Sequence, residues 1–140
     1  MLYLVAVIVV LILMKKEKYH IEYVFDKAGR ASLWNYISSA AGLGEWFADK
    51  VRVNGKIYTF TWKGHSADAE IVGMNQNNYI RFHWLEDDNS ATFFEFRLHK
   101  NELTGGIVLE ITDFVEEHEK NDAINLWETE IKLLRRVLGL

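Results

Sequence analysis

The chain has 140 residues, of which 49% are hydrophobic and 14% aromatic, and it carries a formal net charge of −4. This length and apolar content suit one folded domain with a sizeable core and exclude a disordered chain. The acidic balance argues against nucleic acid as the main partner. The absence of cysteine and proline excludes disulfides, thiolate chemistry and cis-proline turns.

The first 13 residues carry no charge, and Met14-Lys15-Lys16 follows them. A helix of that length reaches only about 20 Å, short of a hydrocarbon core of roughly 30 Å, and a secretory signal would place its lysines before the apolar run. Three interpretations stay open for residues 1–14: a misassigned start with translation beginning at Met14, a membrane anchor, or a β-rich segment paired into the fold. We expect residues 15–140 to form one domain that is cytoplasmic, or held at the inner face of the membrane if the segment is an anchor.

A half-buried strand is predicted near the start of the domain, over residues 18–25. Aromatic and aliphatic residues alternate there with polar ones, which is the two-residue period of a strand. Two short helices are expected to follow. The first spans residues 32–39, and the second, rich in Trp and Phe, comes after an interruption at Gly42 and Gly44.

From Asp49 onward the hydrophobic period changes to two, which predicts six more strands joined by tight turns. Asn54-Gly55 is the strongest hairpin signal among them. The apolar side chains that recur in these strands are Val51, Val53, Tyr58, Phe60, Trp62, Ala67, Ala69, Ile71, Ile80, Phe82, Trp84, Phe94, Phe96, Leu98, Ile107, Leu109 and Ile111. Short strands at regular spacing predict one antiparallel meander.

The outer face of this sheet is expected to carry charges on neighbouring strands, at Arg81, Glu95, Arg97 and Glu110. Pairs of opposite charge across strands stabilise a sheet only slightly. We therefore assign these side chains to solubility rather than to a functional site.

An amphipathic helix is predicted for the last 20 residues. Its apolar stripe repeats at steps of three and four and consists of Ile124, Trp127, Ile131, Leu134 and Leu138, widened by Leu126, Leu133 and Val137. Glu130 is among the charged residues expected off that stripe. Asn121 or Asp122 is expected to cap the helix and Gly139 to end it. The aromatic sheet is the expected cover for the stripe.

Several local motifs follow this order of elements: Leu33-Trp34, Gly42 to Phe47, Gly55 to Phe60 with Trp62, Ile80 to Trp84, Phe94 to Phe96, and Trp127 to Leu134. Together they resemble the helix-grip fold of the START-like (SRPBCC) superfamily, which includes the birch-pollen allergen and polyketide cyclases. Within it they are similar to the branch named for activators of the ninety-kilodalton heat-shock chaperone's ATPase. The chain looks closest to small bacterial START-like domains of unassigned activity.

The resemblance implies an α+β helix-grip fold, with a curved antiparallel sheet of about seven strands around the C-terminal helix and a hydrophobic cavity between them. It implies no fixed catalytic motif, since members bind lipids, sterols, polyketides or hormones, act as enzymes, or bind chaperones. Our first hypothesis is a non-enzymatic domain that binds a small apolar ligand in that cavity. The alternatives are a protein-interaction module, contacting a chaperone or a second copy of itself, and an enzyme of the cyclase or hydrolase type.

The candidate cavity residues are the aromatic side chains that would converge beneath the helix, with one aliphatic neighbour. They are Trp46, Tyr58, Phe60, Trp62, Phe82, Trp84, Phe94, Phe96, Trp127 and Ile131. The competing interpretation is an ordinary packed core, because aromatic side chains bury large areas wherever they lie. Tyr23, Tyr58 and the indole N–H groups are the expected polar members if a cavity is present.

No metal site, cofactor or catalytic residue is predicted. His83 and His99 fall on neighbouring strands, but two imidazoles without a third ligand make a poor zinc site, and we expect both on the exposed side of the sheet. Residues 113–122 are acidic and are expected to form a solvated loop and the start of the last helix. The sequence has no nucleophile elbow and no phosphate-binding glycine loop.

Overall fold

The computed structural model describes residues 15–140, so the three interpretations given for residues 1–14 lie outside the described residues. The elements in chain order are β1 (Lys16–Phe25), α1 (Arg30–Ser38), α2 (Ala40–Trp46), β2 (Lys50–Asn54), β3 (Ile57–Trp62), β4 (His65–Asn75), β5 (Tyr79–Trp84), β6 (Phe94–Lys100), β7 (Ile107–Glu116), a short 3-10 helix (Glu117–Glu119) and α3 (Lys120–Val137). This confirms the predicted α+β fold, with two short helices after the first strand and one long helix at the C-terminus.

All seven strands form one antiparallel sheet in the order β1-β7-β6-β5-β4-β3-β2. Strands β2 to β7 form the predicted meander, in which each strand pairs with the next along the chain. Strand β1 returns to pair with β7 over its whole length, from Lys16 opposite Glu116 to Phe25 opposite Ile107. This pairing extends β7 four residues beyond the strand pattern in the sequence and decides where Asp113 lies.

The hairpin predicted at Asn54-Gly55 is confirmed. Gly55 has a φ of +61°, in the left-handed region that the turn between β2 and β3 requires. Strand β4 contains a register shift between Ile71 and Gly73, which leaves Val72 without a partner residue on β5. A bulge of this kind bends a strand and increases its twist, and so contributes to the curvature of the sheet.

Gly42 does not interrupt the second helix, as the sequence suggested, but lies inside α2. A Cβ atom at this position would overlap the backbone carbonyl of Asn35 and the Cα atom of Tyr36 in α1. The two helices therefore approach closely at Gly42, and its missing side chain is what permits the approach. Gly44, in the same helix, has open space around it.

Helix α3 packs on the sheet through Trp127, Ile131 and Leu134, which are all buried. The stripe is narrower than predicted, because Leu126 is 61% exposed and Leu133 is 38% exposed. The predicted caps at Asn121 and Asp122 are wrong, since the helix begins at Lys120 after the 3-10 helix. The expected end is confirmed: Gly139 has a φ of +77°, and its N–H donates to the carbonyl of Arg136.

The core between sheet and helices is mainly aromatic, and the outer face of the sheet carries the charges. On that outer face, Arg81 of β5 forms the predicted cross-strand ion pair with Glu95 of β6 at 2.9 Å. Arg97, on the same strand as Glu95, also pairs with it at 3.0 Å. Glu95 is only 3% exposed, so this cluster is more buried than expected. Burial opposes ionisation of Glu95, but the hydrogen bonds from Arg97 and Arg81 outweigh it and lower the pKa of the carboxyl.

Helix α3 is the longest helix that the structure describes, and it mixes apolar with charged side chains. Within residues 15–140, no helix combines the length and the apolar character needed to cross a membrane.

Candidate functional site

A pocket of about 330 Å³ lies between the sheet and α3. Its lining consists of five aromatic side chains, two aliphatic ones and two carboxylic acids: Phe47, Trp62, Trp84, Phe94, Trp127, Ala123, Leu126, Asp113 and Glu130. The volume is at the lower end of the range for small-molecule sites, roughly 300–1,000 Å³, and the mostly apolar lining with few polar groups is typical of them.

The aromatic walls of the pocket support one another. The ring of Phe47 stacks on Trp127 with centroids 5.8 Å apart and meets the edge of Trp62 at 5.4 Å. Trp84 stacks on Phe94 at 4.8 Å. Ring pairs at these separations are favourable beyond their buried area, so the walls form a preorganised surface.

Phe47 reaches the pocket because it directly follows α2, the helix that packs on α1 at Gly42. Its backbone carbonyl accepts a hydrogen bond of 2.7 Å from the indole N–H of Trp62 on β3. This bond joins the end of α2 to the sheet and fixes two walls of the pocket at once. The sequence contained the signal for Phe47, since the residue belongs to the family motif, but it was not among the candidates.

The structure divides the ten candidate residues into two groups. Trp62, Trp84, Phe94 and Trp127 line the pocket. The other six lie in the packed core instead: Trp46, Tyr58, Phe60, Phe82, Phe96 and Ile131. The pocket interpretation therefore fits four of the residues, and the packed-core interpretation fits the other six. Contact of any of the ten with a ligand stays a prediction.

The polar groups of the packed candidates are used to hold α1 and α2. Trp46 donates its indole N–H to the carbonyl of Tyr36 at 2.8 Å, and the Tyr58 hydroxyl donates to the carbonyl of Ser38 at 2.7 Å. The Tyr23 hydroxyl is buried and has no hydrogen-bond partner within residues 15–140. Burial, together with the charge of Glu128, raises the pKa of Tyr23 to about 12. Neither tyrosine lines the pocket.

Asp113 corrects the prediction of a solvated acidic loop over residues 113–122. It belongs to β7, directly opposite Tyr19 of β1, and points into the pocket. Its Oδ1 atom accepts the backbone N–H of Phe114 at 2.8 Å, and its Oδ2 atom accepts the hydroxyl of Tyr19 at 3.2 Å. The pairing of β1 with β7, which continues to Glu116, is what draws this residue out of the loop.

Burial raises the pKa of Asp113 to about 6, although hydrogen bonds from Phe114 and Tyr19 partly offset the effect. The Tyr19 hydroxyl also accepts the indole N–H of Trp127 at 3.0 Å. Burial and the negative charge of Asp113 raise the pKa of Tyr19 well above its usual value. A hydrogen-bonded chain thus runs from Trp127 through Tyr19 to Asp113 along one side of the pocket.

Glu130 was expected off the apolar stripe of α3, but the structure places it in the pocket. It follows Trp127 by three residues and Ala123 by seven, which brings all three to the same side of the helix. Burial, and then the charge of Asp113, raise the pKa of Glu130 to about 8. The helical spacing to Trp127 is the signal by which the sequence could have identified this residue.

The histidines named as possible metal ligands are not brought together. His83 donates from Nδ1 to the backbone carbonyl of Thr92 at one end of β5, whereas His99 lies near the far end of β6. His99 Nε2 is 3.6 Å from a carboxylate oxygen of Glu22 and 3.8 Å from one of Glu110. The spacing of these three groups is compatible with a cation, but exposed acidic groups of this kind are common without one.

A family model described as a START-like superfamily domain matches residues 13–140. The solution NMR structure of BfR322 from Bacteroides fragilis is 46% identical in sequence, with 89% of this chain and 92% of that chain covered and a TM-score of 0.63. No curated protein matches the sequence significantly.

Two further solved structures are similar in fold at low sequence identity. The X-ray structure of MLL2253 from Mesorhizobium loti is 17% identical, with 88% of this chain and 97% of that one covered and a TM-score of 0.71. The solution structure of the Aha1 dimer from Colwellia psychrerythraea is 16% identical, with 89% and 96% covered and a TM-score of 0.68.

Proposed function

The chain belongs to the START-like superfamily, and from that premise we propose that it is a non-enzymatic domain that binds a small apolar molecule in the pocket beneath α3. The observation that carries the proposal is the lining of the pocket: five aromatic side chains surround about 330 Å³ beside an otherwise tightly packed aromatic core. A concave site with apolar walls and few polar groups is the usual form of a small-molecule site.

The chemistry of the lining favours binding over catalysis. Among residues 15–140, the ionisable side chains that line it are Asp113 and Glu130, and the lining there contains no hydroxyl or imidazole. Acyl transfer or hydrolysis through a covalent intermediate would need a nucleophile beside a base. A raised carboxyl pKa, by contrast, is expected wherever burial separates an acid from water, and it does not require a reaction.

Tryptophan fluorescence offers a direct test, because Trp62, Trp84 and Trp127 line the pocket. Titration with fatty acids and one- or two-ring aromatic compounds is expected to change the emission and to raise the melting temperature. Native mass spectrometry would confirm a stoichiometry of one. If no compound in such a library shifts either signal, the proposal is wrong.

A matched pair of variants locates the binding. Ala123→Phe adds a ring to the pocket lining and is expected to abolish the fluorescence change. Leu133→Phe adds a similar ring on the same helix outside the pocket, where the side chain is 38% exposed, and is expected to leave binding unchanged. Equal loss in both variants would mean that the ligand binds elsewhere.

A second candidate function is protein interaction, through self-association or contact with a chaperone. Leu126, Leu133 and Leu140 are exposed and spaced seven residues apart, so that the first two lie on one side of α3. The similar Aha1 protein is described as a dimer. If the chain forms a dimer through this face, Leu133→Glu is expected to convert it to a monomer in sedimentation velocity. A chaperone ATPase rate that stays unchanged when this protein is added would count against contact with a chaperone.

A further inference from the structure

Two carboxyl groups enter the pocket from opposite elements, Asp113 from β7 and Glu130 from α3. Within residues 15–140 neither forms an ion pair, and the basic side chains that do form ion pairs there are bound to other acids. Lys16 is the basic residue whose charge acts on Asp113, and its Nζ atom is bound to Asp87 at 2.9 Å. The pocket therefore contains acidic groups without a basic partner from this part of the chain.

The hydrogen-bond donors around the pocket are largely used. Trp62 donates to the carbonyl of Phe47, Trp127 donates to Tyr19, and Tyr19 donates to Asp113. Among the lining indoles, Trp84 is the one whose N–H has no acceptor within residues 15–140. When ionised, the carboxyl oxygens accept hydrogen bonds, whereas a protonated carboxyl group can also donate. A ligand that donates hydrogen bonds therefore suits the ionised form of the two acids.

The aromatic faces of the pocket add a second preference for positive charge. The protein's own cations lie over other rings, with Arg81 on Phe93, Arg97 on Tyr79 and Arg135 on Phe25. None of these rings lines the pocket. Each lining tryptophan stacks on a phenylalanine, Trp62 on Phe60, Trp84 on Phe94 and Trp127 on Phe47, but within residues 15–140 no cation lies over any of the three. Tryptophan is the ring that attracts cations most strongly.

Building on the proposed function, we propose that the ligand is a small organic amine, with a one- or two-ring apolar body among the aromatic walls and one ammonium group between Asp113 and Glu130. The apolar body of the ligand would contact the five aromatic rings. The ammonium group would supply the positive charge and the hydrogen-bond donors that the two carboxyl groups lack. This ligand class fits because the two acids, on the facing elements β7 and α3, line the same pocket as the five aromatic side chains.

The protonation of the two acids is consistent with a ligand that carries a single positive charge. Asp113 faces Tyr19 and Lys16 of β1 and Glu130 of α3, while Glu130 faces Asp113. Burial raises the pKa of Asp113 to about 6 and that of Glu130 to about 8, so near pH 7 the pair holds about one negative charge. An ammonium beside Glu130 favours its ionised form. Binding should therefore release the Glu130 proton to the buffer.

The test compares amines with alcohols of the same skeleton on the wild-type chain at pH 7 and physiological salt. The pairs are 2-phenylethylamine with 2-phenylethanol, tryptamine with tryptophol, and 2-(1-naphthyl)ethylamine with 2-(1-naphthyl)ethanol. We expect the better-fitting amine to bind at least about tenfold more tightly than its alcohol. Calorimetry in buffers of different ionisation enthalpy is expected to show proton release with the amine alone.

Two isosteric variants show which acids are responsible. Glu130→Gln and Asp113→Asn are expected to reduce the preference for the amine to less than about threefold, while the exposed Glu128→Gln on the same helix leaves it unchanged. Circular dichroism checks that each variant folds. If Asp113→Asn fails to fold, because its carboxylate accepts from Tyr19 and Phe114, Glu130→Gln and the wild-type series still decide the question.

The outcomes separate this inference from the proposed function. If the alcohols bind as tightly as the amines, the inference that the ligand is an amine is wrong, but the proposed binding of a small apolar molecule is supported. If phenylacetate or indole-3-acetate binds more tightly than any amine, the protonated acids act as donors and the inference is overturned. If no amine, alcohol or carboxylate binds, and the fatty-acid and aromatic library also fails, both proposals fall together.

Discussion

The indole N–H of Trp127 donates a 3.0 Å hydrogen bond to the hydroxyl of Tyr19, a residue 108 positions earlier in the chain. The bond joins α3 to β1. The Tyr19 hydroxyl in turn donates a hydrogen bond to Asp113 of β7. Because all three groups are at least partly buried, a missing member leaves its neighbours without a partner in a site of low polarity. The connection between the helix and this edge of the sheet therefore depends on a small number of polar atoms.

Tyr19→Phe removes one hydroxyl and no ring. The indole of Trp127 then loses its acceptor and Asp113 loses a donor, so we expect the free energy of unfolding to fall by about 1–3 kcal/mol. Urea denaturation measures the loss. Tyr36→Phe serves as the control, because the Tyr36 side chain makes no hydrogen bond within residues 15–140, and a change below about 0.5 kcal/mol is expected there. Equal stability of the two variants would mean that the hydrogen-bonded chain contributes nothing.

Trp127→Ala truncates a side chain that is buried under α3 and contacts Phe47 and Phe96. A large core truncation of this kind is expected to cost about 3–5 kcal/mol. Leu126→Ala, at the exposed neighbouring position, should cost less than about 0.5 kcal/mol. Thermal and urea unfolding give both values. Near-normal stability of Trp127→Ala, together with lost ligand binding, would instead show that the indole mainly forms a pocket wall.

Glu130→Gln is expected to change how stability depends on pH. Burial raises the pKa of Glu130 from 4.5 to about 8 in the folded state, so between these values the folded chain binds more protons than the unfolded chain. The free energy of unfolding then falls as pH rises through this window. The variant should match the wild type near pH 4.5 and exceed it by about 1–2 kcal/mol at pH 8.5, a part of the full shift because the pocket is open to water.

Urea unfolding across this pH range, with the exposed Glu128→Gln as control, measures the Glu130 effect. Asp113 is the other acid facing Glu130 and contributes a change of the same sign at lower pH. If Glu130→Gln is less stable than the wild type at pH 8.5, the carboxylate has a stabilising partner and its pKa is not raised.

Gly42→Ala and Gly44→Ala form a matched pair within one turn of α2. At Gly42 the new methyl group would overlap the backbone of α1, which cannot yield as a flexible side chain would, and we expect a loss of about 1–3 kcal/mol. At Gly44 the space is open, and alanine is expected to stabilise the helix by about 0.5–1 kcal/mol. Opposite signs in thermal denaturation would confirm the close approach, whereas two stabilised variants would contradict it.

Periodicity was sufficient to predict the strands and the last helix, because each pattern depends on neighbouring residues alone. The Asn54-Gly55 turn and the Gly139 end of α3 followed from glycine chemistry and are confirmed. The family motifs then supplied the order of the elements around the helix. These local signals agree with one another, which is typical of a sequence that specifies a single fold.

The pocket itself was harder to predict, since it depends on contacts between distant parts of the chain. Asp113 looked like part of an acidic loop, because only the pairing with β1 makes it a strand residue. Alternation also could not separate Phe94, which lines the pocket, from Phe96, which is packed in the core two residues later on the same face. Both side chains point inward, and the position of α3 over the sheet decides which of them lines the pocket.

The pairing of the first strand with the last has a consequence for how the chain folds. Residues of β1 pair with residues far along the chain, from Lys16 opposite Glu116, 100 positions away, to Phe25 opposite Ile107, 82 positions away. During synthesis at roughly 5–20 residues per second, β1 leaves the ribosome about 4–16 seconds before β7. The meander has local partners in that interval, whereas β1 has none. We infer that the β1 edge and the pocket form last, once β7 and α3 have been synthesised.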